Sequence, residues 1–372
     1  MPAVLRTRKT VTTLSDGREL IYFDEIGAPP RTPLPDRRNL PSVDLTTQMR
    51  RDLLTGEWVT VAQHRQTRTY LPPDDECPLD PSTETRLTEI PDPSYDVVVF
   101  ENRFPSFAGL PGGEPVPSEA GGPMFSQAAG IGRCEVVCFT SDHDGAFSAL
   151  SPARARTVID AWVDRTRELS ARPGIEQVFV FENRGREIGV TLSHPHGQIY
   201  GYPYVTPRTT TMLAEACAYR ERTGGNLFAD LLAAEIAAGE RIVTRSAHWT
   251  AFVPFAARWP MEVHLYPNRQ VPDLAALDDA ELDDLSSVYL EILRRMEGAY
   301  PDSLPYIAGW YQAPVHADRD LAHLHLQVIS IRRAPGKLKY LAGSESSMGA
   351  WINDLMPEDV AALLRSVSVP PA

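Results

Sequence analysis

Two short runs decide the fold: SHPHGQIY at residues 193–200 and AHLHLQVI at residues 322–329. In an extended strand, side chains two apart share a face. Such a strand turns His194, His196 and Gln198 together and delivers two imidazoles and one amide donor to a single site. Pro195 has no N–H for a sheet ladder, which puts this strand at an edge or an end. Gly197 carries no side chain, so a ligand can approach the backbone there. The second run places His323, His325 and Gln327 on one face and Leu324, Leu326 and Val328 on the other, which reads as core. Imidazole serves as a nucleophile toward phosphorus, a proton carrier or a metal ligand. The residues alone leave the choice between His196 and His325 open.

Outward from these runs the chain repeats itself. EVVCFTSDHDGAFSALS from Glu135 and EVHLYPNRQVPDLAALD from Glu262 each give a β-like run, a polar break and a helical pattern. The helices are expected over Pro152 to Ser170 and Asp279 to Met296, each followed by an aromatic-rich β run, QVFVFENRG or PYIAGWYQA. The offset between copies drifts from 127 (Glu135 to Glu262) to 129 (His194 to His323). This is one strand–helix–strand–strand unit used twice. The Gly/Pro/Ser-rich stretch Pro105 to Arg133 reads as a loop inserted in the first copy, and residues 26–45 as an irregular Pro-rich arm. A helical stretch from Thr209 to Ala238 links the copies, and a last helix is expected near Pro357 to Val367. The fold class that follows is α+β: two similar antiparallel sheets with helices packed on one side, in units 1–205 and 206–372.

Composition narrows the function. The chain has 372 residues, 43% apolar and 23% charged, with a net charge of −13. That is ordinary globular usage, and the acidic balance argues against a nucleic-acid partner. No run of about 18 apolar residues marks a membrane span, and the start, MPAVLRTRKTV, lacks the apolar core of a secretory signal. The four cysteines, Cys77, Cys134, Cys138 and Cys217, are irregularly spaced and form no disulfide framework, so a cytoplasmic, reducing compartment is expected.

His-x-His-x-Gln closing such a unit resembles the histidine triad superfamily. RRDLLTGEWVTVAQHR, FENRFPSF, CFTSDH, FENRG, HPHGQIY, HWTAFVPFAARWPMEV, AHLHLQV and KLKYLAGSE, in that order from about Arg50 to Arg365, resemble its two-unit galactose-1-phosphate uridylyltransferase family. The resemblance implies exchange of UMP between UDP-glucose and galactose 1-phosphate in the Leloir pathway of galactose metabolism. It implies ping-pong kinetics, with His196 as the nucleophile that carries the uridylyl group and Gln198 donating to a phosphoryl oxygen. It points to Arg65, Arg68, Asn102, Asn183 and Thr191 as uridine or phosphate contacts. It points to Lys339, Tyr340 and Glu345 as residues that close over the sugar nucleotide; Ala342 and Ser344 depart from the family pattern there. A homodimer with shared active sites is implied as well. A related nucleotidyl transferase such as a dinucleoside polyphosphate phosphorylase is the alternative, and a catalytically dead nucleotide-binding protein is the reading from another class. The intact His196, Gly197 and Gln198 favour an enzyme.

The resemblance also implies metals. Members hold a structural zinc with Cys-x-x-Cys, a later His and the first His of HPH. The matching residues are Cys77, Asp80 in place of the second cysteine, His143 and His194. Thiolate, carboxylate and imidazole are all competent for zinc. A second, iron-type site of some members is expected to be lost: Tyr311 follows Gly309-Trp310 where a histidine is used, and Met212 falls where the Glu ligand is used. His323 and His325 then become internally hydrogen-bonded strand residues.

Overall fold

The structure is a computed structural model and describes residues 5–41, 47–68, 70–109 and 124–369. In chain order the strands are β1 (Thr7–Thr13), β2 (Glu19–Glu25), β3 (Gln48–Arg51), β4 (Trp58–Val61), β5 (Val97–Glu101), β6 (Gln127–Ala129), β7 (Arg133–Cys138), β8 (Gln177–Arg184), β9 (His196–Tyr202), β10 (Ile242–Arg245), β11 (Trp249–Phe252), β12 (Met261–Pro267), β13 (Tyr306–Tyr311), β14 (His325–Ser330), β15 (Arg332–Ala334) and β16 (Lys337–Leu338). The helices are α1 (Pro152–Ser170), α2 (Pro207–Thr223), α3 (Leu227–Ala238), α4 (Asp279–Glu297), α5 (Gly343–Met348) and α6 (Pro357–Ser366).

The two histidine runs lie in matching places. β9 pairs with β7 and β8, and β14 pairs with β12 and β13, all antiparallel. β8 then pairs with β13, so the two expected sheets join edge to edge into one sheet of order β1-β2-β5-β7-β9-β8-β13-β14-β12-β11-β10. Joining them satisfies the backbone groups of what would otherwise be two exposed inner edges.

The register corrects the repeat alignment by one residue. Val136 pairs with Gln198 as His264 pairs with Gln327. Val136 therefore matches His264, and Glu135 does not match Glu262. Glu135 faces α1, where Arg165 and Arg133 bind its carboxylate, while Glu262 faces the opposite side and takes His264 at 2.9 Å. Matching letters in EVVC and EVHL thus sit on opposite faces, as a one-residue slip requires.

Local sequence explains the repeat helices. Ser151 caps α1 by accepting from the Arg154 N–H, and Pro152 takes the first turn. Asp278 and Glu281 form a reciprocal capping box on α4, and Arg294 and Arg295 lie in its last turn. Both helices cover the same face. Val158, Ile159 and Trp162 of α1 and Leu285, Tyr289 and Leu293 of α4 share one core with Val137, Val180, Ile199, Leu326 and Val328 from the strands. Phe147, Trp162, Tyr289 and Trp310 make its aromatic centre.

The linker helices differ. The expected stretch splits at Gly224 (φ 75°) into α2 and α3, which pack on the other face against Phe252 and Tyr266. Over the first unit that same face is covered differently. There β3, β4 and β6 form a small sheet around Met49, Phe107 and Tyr200, and the uncovered remainder is a cleft. β6 arises inside the stretch expected to be wholly loop, by pairing with β3. Residues 110–123 of that stretch, and 42–45 of the arm, lie outside the described residues. The described part of the arm, 26–41, has no strand or helix; Arg31 binds Asp24, and Arg38 binds Asp36 and Glu89.

Candidate active site

A cleft of about 530 Å³ opens on the face of the first unit that turns away from α1. β9 supplies His196, Gln198 and Tyr200 to its wall, one from every second position. His194 does not join that row. It precedes the strand, is 1% exposed and turns into the protein. The strand is not at an edge: β9 lies between β7 and β8, and it can do so because it starts directly after Pro195, whose carbonyl accepts from Phe139 N. Gly197 serves packing rather than a ligand. A Cβ there would meet Phe139 Cζ and the Phe181 carbonyl oxygen, each at 2.9 Å, on the core side.

Arg65, Arg68, Asn102, Asn183 and Thr191 line the same cleft as His196 and Gln198. Arg65 is fixed by donating to the Phe104 carbonyl (2.8 Å) and to Ser106 Oγ (2.9 Å). His64 ties its short helical turn to the Pro105 carbonyl. Asn102 Oδ1 accepts from Phe104 N at 2.8 Å and shapes that loop. The Thr191 carbonyl accepts from Leu71 N. Lys339, Tyr340 and Glu345 do not line the cleft. They form a separate outer segment in which Lys339 Nζ lies 3.4 Å from Glu345 and Tyr340 is 61% exposed.

Hydrogen bonding fixes the tautomer of His196. Its Nδ1–H donates to the His194 carbonyl at 2.7 Å, so the lone pair is on Nε2. Burial drives its pKa below 6.5, against the His194 hydrogen bond, so the ring is neutral near pH 7. His325 has the same backbone tether, to His323 O at 2.9 Å, but no free lone pair: Gln327 Nε2 lies 3.1 Å from its Nε2. Its ring is sandwiched between Tyr266 and Tyr311 at 4.7 and 5.0 Å, and burial pushes its pKa well down. Tyr311, Met212 and Phe228 line the small space beside His323 and His325, groups with little to offer a hard metal ion. His323 Nε2 is hydrogen-bonded to the Pro267 carbonyl at 3.1 Å.

Behind His196 lies a donor set suited to a metal. Ligand atoms of Cys77, Asp80 and His143 all lie within 4.8 Å of one another. Asp80 Oδ1 is 2.7 Å from His143 Nδ1 and 3.0 Å from His194 Nδ1. His194 Nε2 meets the Thr140 carbonyl at 2.8 Å. Acceptors therefore stand at both nitrogens of His194, and a neutral imidazole has one N–H. Burial disfavours the doubly protonated ring. Thiolate, carboxylate and imidazole gathered this closely, with an imidazole short of one N–H, fit zinc. Cys77, whose thiol pKa burial raises, would bind as thiolate.

Sequence reasoning missed Tyr200, Tyr95 and Phe181. Tyr200 stands two positions past Gln198 and was readable from strand period alone. Tyr95, which meets His194 Nε2 at 3.0 Å, comes from 99 positions away and had no such signal.

The galactose-1-phosphate uridyl transferase N-terminal domain model matches residues 34–206, and its C-terminal domain model matches residues 213–370. This chain belongs to the galactose-1-phosphate uridylyltransferase family. It is 52% identical to a galactose-1-phosphate uridylyltransferase of Streptomyces lividans, over 82% of this chain and 81% of that one. A Thermotoga maritima member of the same name is 35% identical over 87% of this chain and 99% of its own length. A solved uridylyltransferase structure superposes with a TM-score of 0.75 at 30% identity, covering 86% of this chain and 97% of that one. An ADP-glucose phosphorylase structure from Arabidopsis thaliana, at 24% identity and a TM-score of 0.65, shares the fold.

Proposed function

We propose that this chain, a uridylyltransferase by family, exchanges UMP between UDP-glucose and galactose 1-phosphate by double displacement at His196. One observation carries the reading: His196 uses its only N–H on a backbone carbonyl and keeps a neutral Nε2 lone pair in the wall of a polar cleft. That pair attacks the α-phosphorus of UDP-glucose. The bond from phosphorus to the bridging oxygen breaks, and glucose 1-phosphate leaves with its electrons. A phosphate oxygen of galactose 1-phosphate then displaces the neutral imidazole and yields UDP-galactose. The attacking ring is uncharged, so it approaches the anionic phosphate without like-charge repulsion. It becomes cationic in the intermediate, and its hydrogen bond to His194 O strengthens as it does. Leaving groups and acceptors are phosphate monoesters, so positioning and charge supply most of the rate.

Arg65 and Arg68 supply positive charge for the phosphates, and Asn102, Asn183 and Thr191 bind polar edges of the uridine and phosphoryl groups. The units 1–205 and 206–372 divide the work: the first holds this machinery, and the second carries the sugar-closing segment. Lys339, Tyr340 and Glu345 stand apart from the cleft of their own chain, which supports a homodimer in which they serve the partner's site. Cys77, Asp80, His143 and His194 would hold zinc, whose charge fixes the His194 ring and with it the carbonyl that orients His196. The four free cysteines support a cytoplasmic location. No helix among the described residues is long and apolar enough to cross a membrane.

Intact mass after incubation with UDP-glucose tests the reading. Wild type gains a UMP adduct, which galactose 1-phosphate discharges and His196→Gly never forms. An AMP adduct from an adenosine substrate instead would indicate the phosphorylase alternative; no adduct from either would remove the double displacement.

A further inference from the structure

The amide of Gln198 is useful only one way round. Its N–H must face the phosphoryl group, since its carbonyl would repel one. The surrounding donors set that orientation. Arg65 has donors and no acceptor, so it must donate to Ser106 Oγ, 2.9 Å away. That occupies a lone pair of Ser106 and frees its proton for another acceptor. Ser106 and Arg65 are near enough to the Tyr200 phenol to work against the rise in its pKa that burial and Cys134 cause. The Tyr200 hydroxyl donates to Gln198 Oε1 at 3.2 Å. The phenol cannot swing away: Phe107, Phe181 and Tyr202 meet its ring edge-on at 6.4, 5.1 and 5.9 Å.

The second unit supports the same logic independently. Gln327 stands where Gln198 does, and its carbonyl is again held by a donor, Arg208 Nη2 at 3.1 Å. Its amide nitrogen then faces the histidine, 3.1 Å from His325 Nε2. Ile329 occupies the position of Tyr200 there, so a different residue supplies the donor.

We propose that Tyr200 is a positioning residue for UMP transfer: its hydroxyl, donating to Gln198 Oε1 from a ring packed between aromatic neighbours, locks the amide with its N–H toward the phosphoryl group at His196. The inference rests on the transfer reading above. If wild type takes no UMP from UDP-glucose, that reading fails; the proposal fails alone if wild type reacts and the following result is absent.

The test is a double-mutant cycle on the rate of UMP-adduct formation. Tyr200→Phe keeps the ring and loses the proton. Its rate should fall roughly 5- to 50-fold, with UMP affinity nearly unchanged. In a Gln198→Ala background the same substitution should cost nothing further. Additive losses, or an unchanged rate in Tyr200→Phe, overturn the proposal. A readout that preserves volume is 3-fluorotyrosine at Tyr200. Its more acidic phenol, flanked by Arg65, Cys134 and Tyr202, should move the alkaline limb of the transfer rate to lower pH. An unmoved limb also overturns it.

Discussion

The Nδ1–H of His196 lies 2.7 Å from the carbonyl oxygen of His194. The backbone of one histidine thus sets the tautomer of the next, and the same residue that turns inward toward Asp80 leaves Nε2 of its neighbour available. His325 is tethered in the same way to His323, yet Gln327 takes its second nitrogen. Two equivalent sequence motifs therefore differ in one lone pair.

Removing that lone pair should abolish the chemistry. His196→Gly is expected to lose adduct formation and to lower turnover by at least about 10⁴-fold, while UMP binding persists. Stopped-flow or quenched turnover with UDP-glucose measures it. Turnover within tenfold of wild type would assign the nucleophile elsewhere.

The neutral ring also sets a pH profile. In the proposed transfer the reactive form is unprotonated, and burial holds the folded pKa below 6.5. The rate of adduct formation should stay level as pH falls through 6.5 and drop only below it. A limb centred above 6.5 would contradict the geometry around His196.

His325→Leu separates structure from catalysis. The ring is 2% exposed and stacked on both faces. Its replacement should cost about 1–3 kcal/mol in urea unfolding, from lost stacking and the unpaired Gln327 amide. Adduct formation should remain. Loss of the adduct in a folded His325→Leu protein would give the second unit a catalytic part it is not assigned here.

Much of this was legible in the sequence because it is local. Strand period placed His196 with Gln198, the helical pattern placed α1, and ordered motifs gave the cleft residues. What was not legible depends on chain segments far apart. The joining of two sheets through β8 and β13 is a pairing choice between edges, and period says nothing of it. The inward turn of His194 depends on Asp80, 114 positions away, and on the strand break that Pro195 imposes. The role of Gly197 was misread because its neighbours Phe139 and Phe181 come from other strands. The alignment of Glu135 with Glu262 failed for a simpler reason: identical residues outweighed the alternation of faces.

Glu182 offers a stability prediction. It is 4% exposed, and burial raises its pKa from 4.5 to about 8, against the hydrogen bond from Tyr306. The folded value exceeds the unfolded one, so this carboxyl's contribution is full below about 4.5 and is lost as pH rises toward 8. Glu182→Gln copies the protonated form. It should leave urea stability at pH 4 nearly unchanged and raise it at pH 8, by on the order of 4 kcal/mol at most. Equal effects at both pH values would show that Glu182 does not titrate in this range.

Asp80 joins His143 and His194 through one oxygen, and Arg86 holds its other at 2.9 Å. If zinc occupies this cluster, Asp80→Ala should lower zinc affinity by more than about tenfold. It should also lower the melting temperature, because binding energy at a site absent from the unfolded chain is folding energy. Asp80→Cys should do the opposite to affinity, since a thiolate is a softer partner for zinc than a carboxylate. Chelation of wild type should slow adduct formation, because the His194 backbone that orients His196 would lose its anchor. Metal content by mass spectrometry and melting curves decide the matter together. Equal zinc and equal melting in wild type and Asp80→Ala would mean that the three acceptor contacts of this cluster are met by protons alone.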